Sequence, residues 1–313
     1  MLAKVSIIIP ALNEETTIGR LIESLNRDPY PNKEILVVDG GSTDGTVERA
    51  REKGAIVIIE NIPRCPANAR NQGARKSKGE IICFMDADIE CVSENFITNA
   101  MRHFRKDQTV GVAVEREWME NSLVERIVKS VRSIGLIRTF GKKELKSFKP
   151  PNFIRNDVFF AVGGYPVIGF GEDRVFWRKL KKFVENYGYE IVHEPSSRFF
   201  QHGPKSFREL FKRYEWYGRT VVTYQKQTKN WLEKGLVLSP LVWLISIVSV
   251  ALMPFFPPLL ILSIPYLFRL ATIIHAGMRN KSCFLIPLLD IVGGMGFLRG
   301  TLSYLFGGVK LGK

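Results

Sequence analysis

The chain has 313 residues, 45% of them hydrophobic, and a formal net charge of +14 at pH 7. The length fits one large domain plus an appendage, and the basic balance favours an anionic partner such as a nucleotide, a nucleic acid or an anionic membrane surface. The four cysteines show no CxxC or other metal-ligand spacing. This argues against a cysteine-bound metal and fits a reducing compartment.

Short apolar runs alternate with polar, helix-compatible segments in the first half of the chain. The four runs are VSIIIP at 5–10, EILVVDG at 34–40, AIVIIE at 55–60 and EIICFMD at 80–86. The predicted helices between and after them cover 15–26, 44–53, 66–77 and 93–106. Because such strands are apolar nearly throughout, we predict an α/β fold with a mostly parallel sheet. Ligands of these sheets bind where the strands end, and the loops there are rich in acids, Gly or Asn.

Two aspartates one residue apart, Asp86 and Asp88, follow the fourth apolar run. In an extended segment they point to the same side and Ala87 points to the other. Two carboxylates at this spacing fit a hard divalent cation, Mg²⁺ or Mn²⁺, which completes its coordination with water and substrate phosphates. The alternative is a turn in which an aspartate caps the following helix. A P-loop NTPase is excluded because GxxxxGK[ST] occurs nowhere in the sequence.

Four other polar positions have both a functional and a structural interpretation. The glycines of DGGSTDGT, Gly41 among them, allow a ligand to approach the backbone or simply form a turn. Arg70 could reach a phosphate or pair with an acid, and His202, in FFQHGPKSF, could contact a metal or a phosphate or be structural. Asp173 opens a predicted helix over 173–186, either as a catalytic base or as a first-turn acid.

The last third of the chain is apolar, and residues 236–268 contain no Asp, Glu, Lys or Arg. As one helix this segment would measure about 50 Å, longer than a hydrocarbon core of about 30 Å, and the PFFPP sequence offers a break. We therefore predict a membrane hairpin with spans at about 236–254 and 258–277. Basic residues on both flanks place both ends of the hairpin in the cytoplasm.

The final apolar segment, 284–306, contains Asp290 and Arg299. Charges are costly inside a span, so this segment is predicted to be an interfacial or re-entrant helix. The sequence thus predicts a catalytic domain at 1–230 and a membrane region at 231–313. The expected location is the cell membrane, as a multi-pass protein whose catalytic domain is cytoplasmic.

Four motifs, in this order and spacing, resemble those of family-2 glycosyltransferases: VSIIIPALNEE, EILVVDGGSTDGT, ARNQGARKSKGEIICFMDAD and GGYPVIGFGEDRVFWRKL. The resemblance covers roughly residues 4 to 226. It implies the GT-A fold, a Rossmann-like catalytic domain that in many members is followed by membrane helices. The Gln-x-x-Arg-Trp element of processive members is absent near Arg213, which disfavours a long-chain synthase.

The resemblance also implies roles for individual residues. Asp86 and Asp88 match the pair that binds the metal, which grips the donor diphosphate. Asp173, with Glu172 beside it, matches the base of inverting members. The predicted contacts with the nucleotide sugar are Pro10, Ala11, Asn13, Glu14, Asp39, Gly41, Arg70, Asp86, Ala87 and Arg213, and the predicted metal ligands are Asp86, Asp88 and His202.

The leading hypothesis is an inverting, metal-dependent glycosyltransferase that moves one sugar from a UDP- or GDP-linked donor to a lipid-linked acceptor at the cytosolic face of a membrane. The acceptor is either a polyprenyl phosphate, which is already ionised, or a hydroxyl of a lipid-linked glycan, which needs Asp173 as a base. Mg²⁺ or Mn²⁺ is the expected cofactor. Membrane lipids are expected partners and nucleic acid is not, because no motif for it occurs. The alternatives are a nucleotidyltransferase acting on a sugar phosphate and a non-catalytic, membrane-anchored binder of nucleotide sugars.

Overall fold

A computed structural model describes residues 2–59, 65–133, 150–169, 171–228, 239–252, 260–277 and 281–307. The chain divides into two compact units. Among the described residues, the first comprises those within 2–117 and 150–201, and the second comprises those within 118–133 and 202–307. The predicted domain boundary at residue 230 lies outside the described residues.

The first unit contains a sheet with helices packed on it. Its strands are β1 (Val5–Ala11), β2 (Lys33–Asp39), β3 (Ile56–Ile59), β4 (Ile81–Phe84), β5 (Ile89–Val92), β6 (Thr109–Trp118), β7 (Phe153–Arg155) and β8 (Glu190–Gln201). Its helices are α1 (Glu15–Asn26), α2 (Thr46–Glu52), α3 (Pro66–Lys76), α4 (Phe96–His103), α6 (Asn156–Ala161) and α7 (Glu172–Tyr187), and α5 (Leu123–Ser133) belongs to the second unit.

The described strands form one eight-stranded sheet in the order β3-β2-β1-β4-β7-β6-β8-β5. The first four strands in this order are parallel to one another. Strand β7 is antiparallel to both β4 and β6, and β5 is antiparallel to β8. The sheet is therefore mixed, with its parallel half formed by the four apolar runs found in the sequence.

Both faces of the parallel half are buried. Ile7 and Ile9 of β1 pack in one hydrophobic core with Ile18 of α1, whereas Ile8 packs in a second core with Phe159 of α6. Successive side chains of a strand point to opposite faces, so a continuous apolar run supplies both cores. The predicted α/β fold is confirmed, but the prediction of a mostly parallel sheet is wrong, because β7 and β5 pair antiparallel with their neighbours.

The second unit is helical in the residues described. Besides α5 it contains α8 (Phe207–Thr228), α9 (Ser239–Leu252), α10 (Leu260–Gly277), a 3₁₀ helix (Lys281–Leu285) and α11 (Ile286–Gly307). Helices α8 and α11 approach so closely that a Cβ atom on Gly300 would lie 1.9 Å from the carbonyl oxygen of Glu215. A Cβ atom on Gly296 would lie 2.4 Å from the carbonyl oxygen of Phe211. Glycines at this spacing let two helix backbones pack against each other.

The charges within the apolar helices are paired. Arg269 of α10 donates from Nε to Asp290 Oδ2 at 2.8 Å and from Nη2 to Asp290 Oδ1 at 2.7 Å. The guanidinium also stacks over the Trp243 ring of α9, 4.7 Å from its centroid. Each charge is thus neutralised by a partner on a neighbouring helix.

The prediction of a multi-pass membrane protein is wrong for the described part of the chain. There, no helix combines the length and the apolar character that a membrane span requires. Helix α9 has 14 residues, fewer than the roughly 20 needed to cross the hydrocarbon core. Arg269 interrupts α10, and Asp290 interrupts α11. The turn predicted at 254–258 lies outside the described residues.

Candidate active site

Two loops at the carboxyl ends of β1 and β2 are joined by hydrogen bonds. The amide of Asn13 donates to Ser42 Oγ at 2.9 Å, and Thr43 N donates to Asn13 Oδ1 at 2.8 Å. The amide of Glu14 donates to Thr46 Oγ1 at 2.8 Å. Asn13 has a positive φ of 57°, which asparagine tolerates better than most residues. The polar residues of the two motifs therefore build one fixed double loop.

Asp39 ends β2 and shapes the second loop. Its side chain is 2% exposed, and Oδ2 accepts hydrogen bonds from Gly41 N at 2.8 Å and Ser42 N at 3.0 Å. Gly41 has a φ of 91°, a conformation that favours glycine. The amide of Gly40 bonds to the carbonyl oxygen of Ala11 at 2.9 Å, which ties the loop to β1. Contacts of Pro10, Ala11, Asn13, Glu14, Asp39 and Gly41 with a nucleotide sugar stay predictions.

Asp86 and Asp88 lie in the turn between β4 and β5. Asp86 Oδ2 and Asp88 Oδ1 both accept hydrogen bonds from one nitrogen, Nε2 of Gln201, at 3.2 and 2.6 Å. The two carboxylates therefore converge, while Ala87 between them is 4% exposed and packs in the core. The segment is a turn closed by a hydrogen bond from Ile89 N to the carbonyl oxygen of Asp86 at 3.3 Å, and not the extended segment expected from the sequence.

Arg70 of α3 connects Asp86 to the start of α7. Its Nη2 lies 2.8 Å from Asp86 Oδ1 and its Nη1 lies 3.3 Å from Glu172 Oε1. The guanidinium is 5.3 Å from the centroid of the Tyr165 ring. Burial opposes the ionisation of Asp86, but Arg70 and Arg116 hold the pKa of that carboxyl below its ordinary value. Arg70 thus pairs with acids, as its structural interpretation requires. Its contact with a phosphate stays a prediction.

Glu172 and Asp173 occupy the first turn of α7, which follows Gly171 with its φ of 79°. Glu172 is 8% exposed. Burial raises the pKa of its carboxyl to about 7, with Arg70 opposing the shift and Asp173 adding to it. Asp173 is partly exposed, and its Oδ1 accepts a hydrogen bond from Arg174 N at 2.7 Å. Two adjacent acids therefore have different surroundings.

His202 and Arg213 belong to the second unit. His202 Nδ1 lies 2.9 Å from Oε1 of Glu125, and both side chains are buried. Glu125 and Ser122 also bond reciprocally, since Ser122 N donates to Glu125 Oε2 and Glu125 N donates to Ser122 Oγ, which caps α5. Arg213 lines a cavity of this unit together with Tyr214 and Tyr217 of α8. The metal contact of His202 and the donor contact of Arg213 stay predictions.

The residues at the Asp86–Asp88 turn fit a hard divalent cation. No group of three or more His, Cys, Asp and Glu side chains converges within the described ranges. Mg²⁺ and Mn²⁺ nevertheless bind through one or two carboxylates when substrate phosphates and water supply the other ligands. Two carboxylate oxygens that face a single amide nitrogen meet this requirement.

Three residues near the carboxylates were not assigned from the sequence. Gln201 bridges Asp86 and Asp88, the Tyr165 ring contacts Arg70, and Arg116 lies close enough to Asp86 to affect its pKa. Of these three residues, only Gln201 could have been suspected from the sequence, because it directly precedes His202, which was already a candidate. Tyr165 and Arg116 are brought to the site by the fold, across long distances in the sequence.

The fold and the motifs identify the class of protein. Residues 6–168 match the family model described as Glycosyl transferase family 2, and the chain belongs to this family. It is a glycosyltransferase with a GT-A type of fold. The matched region contains the double loop, Arg70 and the two aspartates, and it ends before Glu172.

Curated relatives share the class over part of their length. Glycosyltransferase AglE of Haloferax volcanii is 27% identical over 219 residues, which cover 67% of this chain and 70% of AglE. WfaP of Escherichia coli, a UDP-Glc:alpha-D-GlcNAc-diphosphoundecaprenol beta-1,3-glucosyltransferase, is 33% identical over 123 residues, which cover 38% of this chain and 48% of WfaP. The chain therefore spans about half to seven tenths of the length of these relatives.

Solved structures share the fold. The mannosyltransferase PcManGT of Pyrobaculum calidifontis, solved with GDP-Man and Mn²⁺, has a TM-score of 0.60 and 18% identity, and the match covers 99% of this chain and 89% of that chain. TarS of S. aureus, solved with UDP, has a TM-score of 0.52 and 17% identity, with coverages of 98% and 93%. At these identities the likeness shows the fold alone.

Proposed function

We propose that this protein is an inverting, metal-dependent glycosyltransferase that moves a single sugar from a UDP- or GDP-linked donor to a lipid-linked acceptor. The observation that carries the proposal is the convergence of Asp86 and Asp88 at the end of β4. Arg70 joins the first of these carboxylates to Glu172 of α7, and Asp173, the candidate base, is the next residue along the chain. The proposed leaving-group site and the candidate base are thus linked through Glu172.

On the donor side, the double loop after β1 and β2 would hold the nucleoside, since ligands of parallel sheets bind at the carboxyl ends of their strands. A divalent cation held by Asp86 and Asp88, when bound, would stabilise the negative charge that develops on the diphosphate. Arg70 keeps Asp86 ionised and oriented for this role. These residues therefore act on the leaving group.

On the acceptor side, Asp173 would take the proton of an attacking hydroxyl. Attack from the side opposite the leaving diphosphate inverts the configuration of the anomeric carbon. Asp173 is the more exposed of the two acids in the first turn of α7, whereas Glu172 faces Arg70. We therefore assign the role of catalytic base to Asp173. We assign to Glu172 the role of orienting the Arg70 side chain.

Two observations support a lipid-linked acceptor. The acceptor in the name of WfaP is a diphosphoundecaprenol-linked sugar. In the second unit, α11 has exposed apolar side chains, among them Leu305 at 63% and Phe306 at 86% exposure. Contiguous exposed apolar residues are typical of sites that bind an apolar partner.

A donor screen tests the proposal. The purified chain is incubated with a panel of UDP- and GDP-sugars, and release of UDP or GDP is measured with Mn²⁺, with Mg²⁺ and with EDTA. We expect release from at least one donor, dependent on the metal and increased by a polyprenyl-phosphate or lipid-linked-glycan acceptor. No release from any donor contradicts the proposal, and release of inorganic diphosphate from a nucleoside triphosphate would indicate nucleotidyl transfer.

Asp173→Asn separates the two acceptor types. A glycan hydroxyl needs a base, so with this acceptor the substitution should lower turnover by about 10²–10⁴-fold. A polyprenyl phosphate is already ionised and should react at a near-normal rate. Asp107→Asn, at a fully exposed acid, is the matched control. Near-normal turnover with every acceptor would remove Asp173 from the mechanism.

A further inference from the structure

Gln201, the last residue of β8, has a fixed place beside the two aspartates. It is 4% exposed and lies opposite Ile89 in the register between β8 and β5. Because β5 begins directly after the Asp86–Asp88 turn, this strand pairing sets the side chain of Gln201 against both carboxylates. The position of its amide group thus follows from the sheet.

The two ends of the Gln201 amide differ in their partners. The Nε2 atom lies 3.2 Å from Asp86 Oδ2 and 2.6 Å from Asp88 Oδ1, so both of its hydrogens have a carboxylate acceptor. The Oε1 atom is buried and has no hydrogen-bond partner among the residues that the structure describes. A buried carbonyl oxygen without a donor costs free energy and requires an explanation.

The NH₂ group occupies the point where a cation would meet both carboxylates. With a cation there, the present orientation would direct two N–H groups at a positive charge. The nitrogen and oxygen ends of an amide have nearly the same shape, and a half-turn about the last side-chain bond exchanges them. The exchanged orientation would offer the cation a neutral oxygen, which is an ordinary ligand of hard cations.

We propose that Gln201 is a third protein ligand of the divalent cation and that its amide changes partners when the cation binds. Without the cation, Nε2 holds Asp86 and Asp88 together. With it, Oε1 turns toward the cation and gains the partner that it lacks. This inference rests on the proposed function, because it assigns a further residue to the same metal site.

The test measures Mn²⁺ affinity, by electron paramagnetic resonance of free Mn²⁺, for the full chain alone and with UDP or GDP. Gln201→Met keeps the size of the side chain and removes its oxygen, so we expect affinity to fall about tenfold to a hundredfold. Gln201→Glu adds a carboxylate ligand, so affinity should equal or exceed that of the unmodified chain. The metal-free Gln201→Glu protein should melt at a lower temperature, because three carboxylates then repel, and Mn²⁺ should restore its stability.

Gln72→Met and Gln72→Glu are the matched controls, since Gln72 Oε1 is also buried without a partner in the described residues. Neither control should change Mn²⁺ affinity. If Gln201→Met does not fold, Gln201→Asn replaces it, because a shorter amide should also bind Mn²⁺ more weakly. The inference is overturned if both Gln201 variants bind Mn²⁺ as the unmodified chain does, or if Gln201→Glu weakens binding as much as Gln201→Met.

The same experiment distinguishes failure of this inference from failure of the proposed function. If the unmodified chain binds Mn²⁺ and the Gln201 variants do not differ from it, only the assignment of Gln201 is wrong. If the unmodified chain binds no Mn²⁺ with or without UDP or GDP, the metal dependence of the proposed function is wrong as well.

Discussion

Each unit of the molecule contains an arginine that is paired with an aspartate, and the two ion pairs differ in how far they are shielded from solvent. In the second unit, Arg269 makes two bonds to the same carboxylate, and the side chains are 6% and 4% exposed. In the first unit, Arg70 gives one nitrogen to Asp86 and another to Glu172, and the Asp86 side chain is 41% exposed.

The difference separates an ion pair that stabilises packing from one that leaves room for a ligand. Each oxygen of the Asp290 carboxylate accepts a hydrogen bond from Arg269, so this carboxylate is satisfied without a ligand. The carboxylate of Asp86 faces solvent and a second aspartate. We therefore expect substitutions at the Arg269–Asp290 pair to change stability and substitutions at Asp86 to change activity.

The largest expected effect comes from breaking the Arg269–Asp290 ion pair. Asp290→Asn leaves the Arg269 charge buried without its counter-charge, which should lower the free energy of unfolding by about 3–5 kcal/mol. Urea denaturation measures this change. The matched control is Glu23→Gln, which breaks exposed ion pairs with Arg27 and Lys53 and should lower the free energy of unfolding far less. Equal losses for the two variants would contradict the distinction.

The next effect is on catalysis. Asp86→Asn and Asp88→Asn each remove a carboxylate that would hold the cation, so turnover in the donor assay should fall by about 10²–10³-fold. Stability should change by less than about 1 kcal/mol, because Asp86 is partly exposed. Asp107→Asn again serves as the control. Retained turnover in both variants would exclude these carboxylates from the reaction.

A third prediction concerns pH. Glu172 has a pKa of about 7 in the folded chain against an ordinary 4.5, so the folded state binds this proton more tightly than the unfolded state. Its contribution to stability is therefore present below about pH 4.5 and should be lost, by about 3 kcal/mol, as pH rises through 7. Urea denaturation from pH 4 to 8 should show this loss, and Glu172→Gln should lack it.

The control for the pH prediction is Glu185→Gln, which removes an exposed acid from the same helix. Its stability should depend on pH as that of the unmodified chain does. If Glu172→Gln has the same pH dependence as the unmodified chain, the carboxyl of Glu172 is not the source of the loss.

The smallest expected effect comes from the shared arginine. Lysine at position 70 keeps the charge but can no longer bond to Asp86 and Glu172 with a rigid fork. Loss of one such bond should lower kcat/KM about tenfold. Arg75→Lys, on the exposed side of α3, should leave kcat/KM unchanged. A larger loss for Arg75→Lys than for Arg70→Lys would contradict the role of the network.

The sequence indicates the parallel half of the sheet because its signals are local. Apolar runs of four to seven residues became β1 to β4, and Asp39 ends β2 as the sequence indicates. The chain turns at Asp86–Asp88, and this turn, not strand alternation, brings the two carboxylates together. The strands themselves need no knowledge of distant contacts.

The remaining features depend on pairings that no spacing rule provides. Gln201 reaches Asp86 only because β8 pairs with β5. Asp290 finds Arg269, 21 residues earlier, across two helices. Hydropathy measures how apolar a segment is, but not whether its side chains contact lipid or pack against other helices. Part of the apolar last third packs helix against helix, as Gly296 and Gly300 do against α8, and the membrane prediction missed this.

The central claim is that the Asp86–Asp88 turn binds the cation that holds the donor diphosphate. Anomalous diffraction from crystals soaked with Mn²⁺ and UDP or GDP tests it most directly. We predict one strong manganese peak about 2 Å from carboxylate oxygens of Asp86 and Asp88 and from diphosphate oxygens. A nucleotide bound with no manganese at this turn, or manganese bound only elsewhere, would contradict the account.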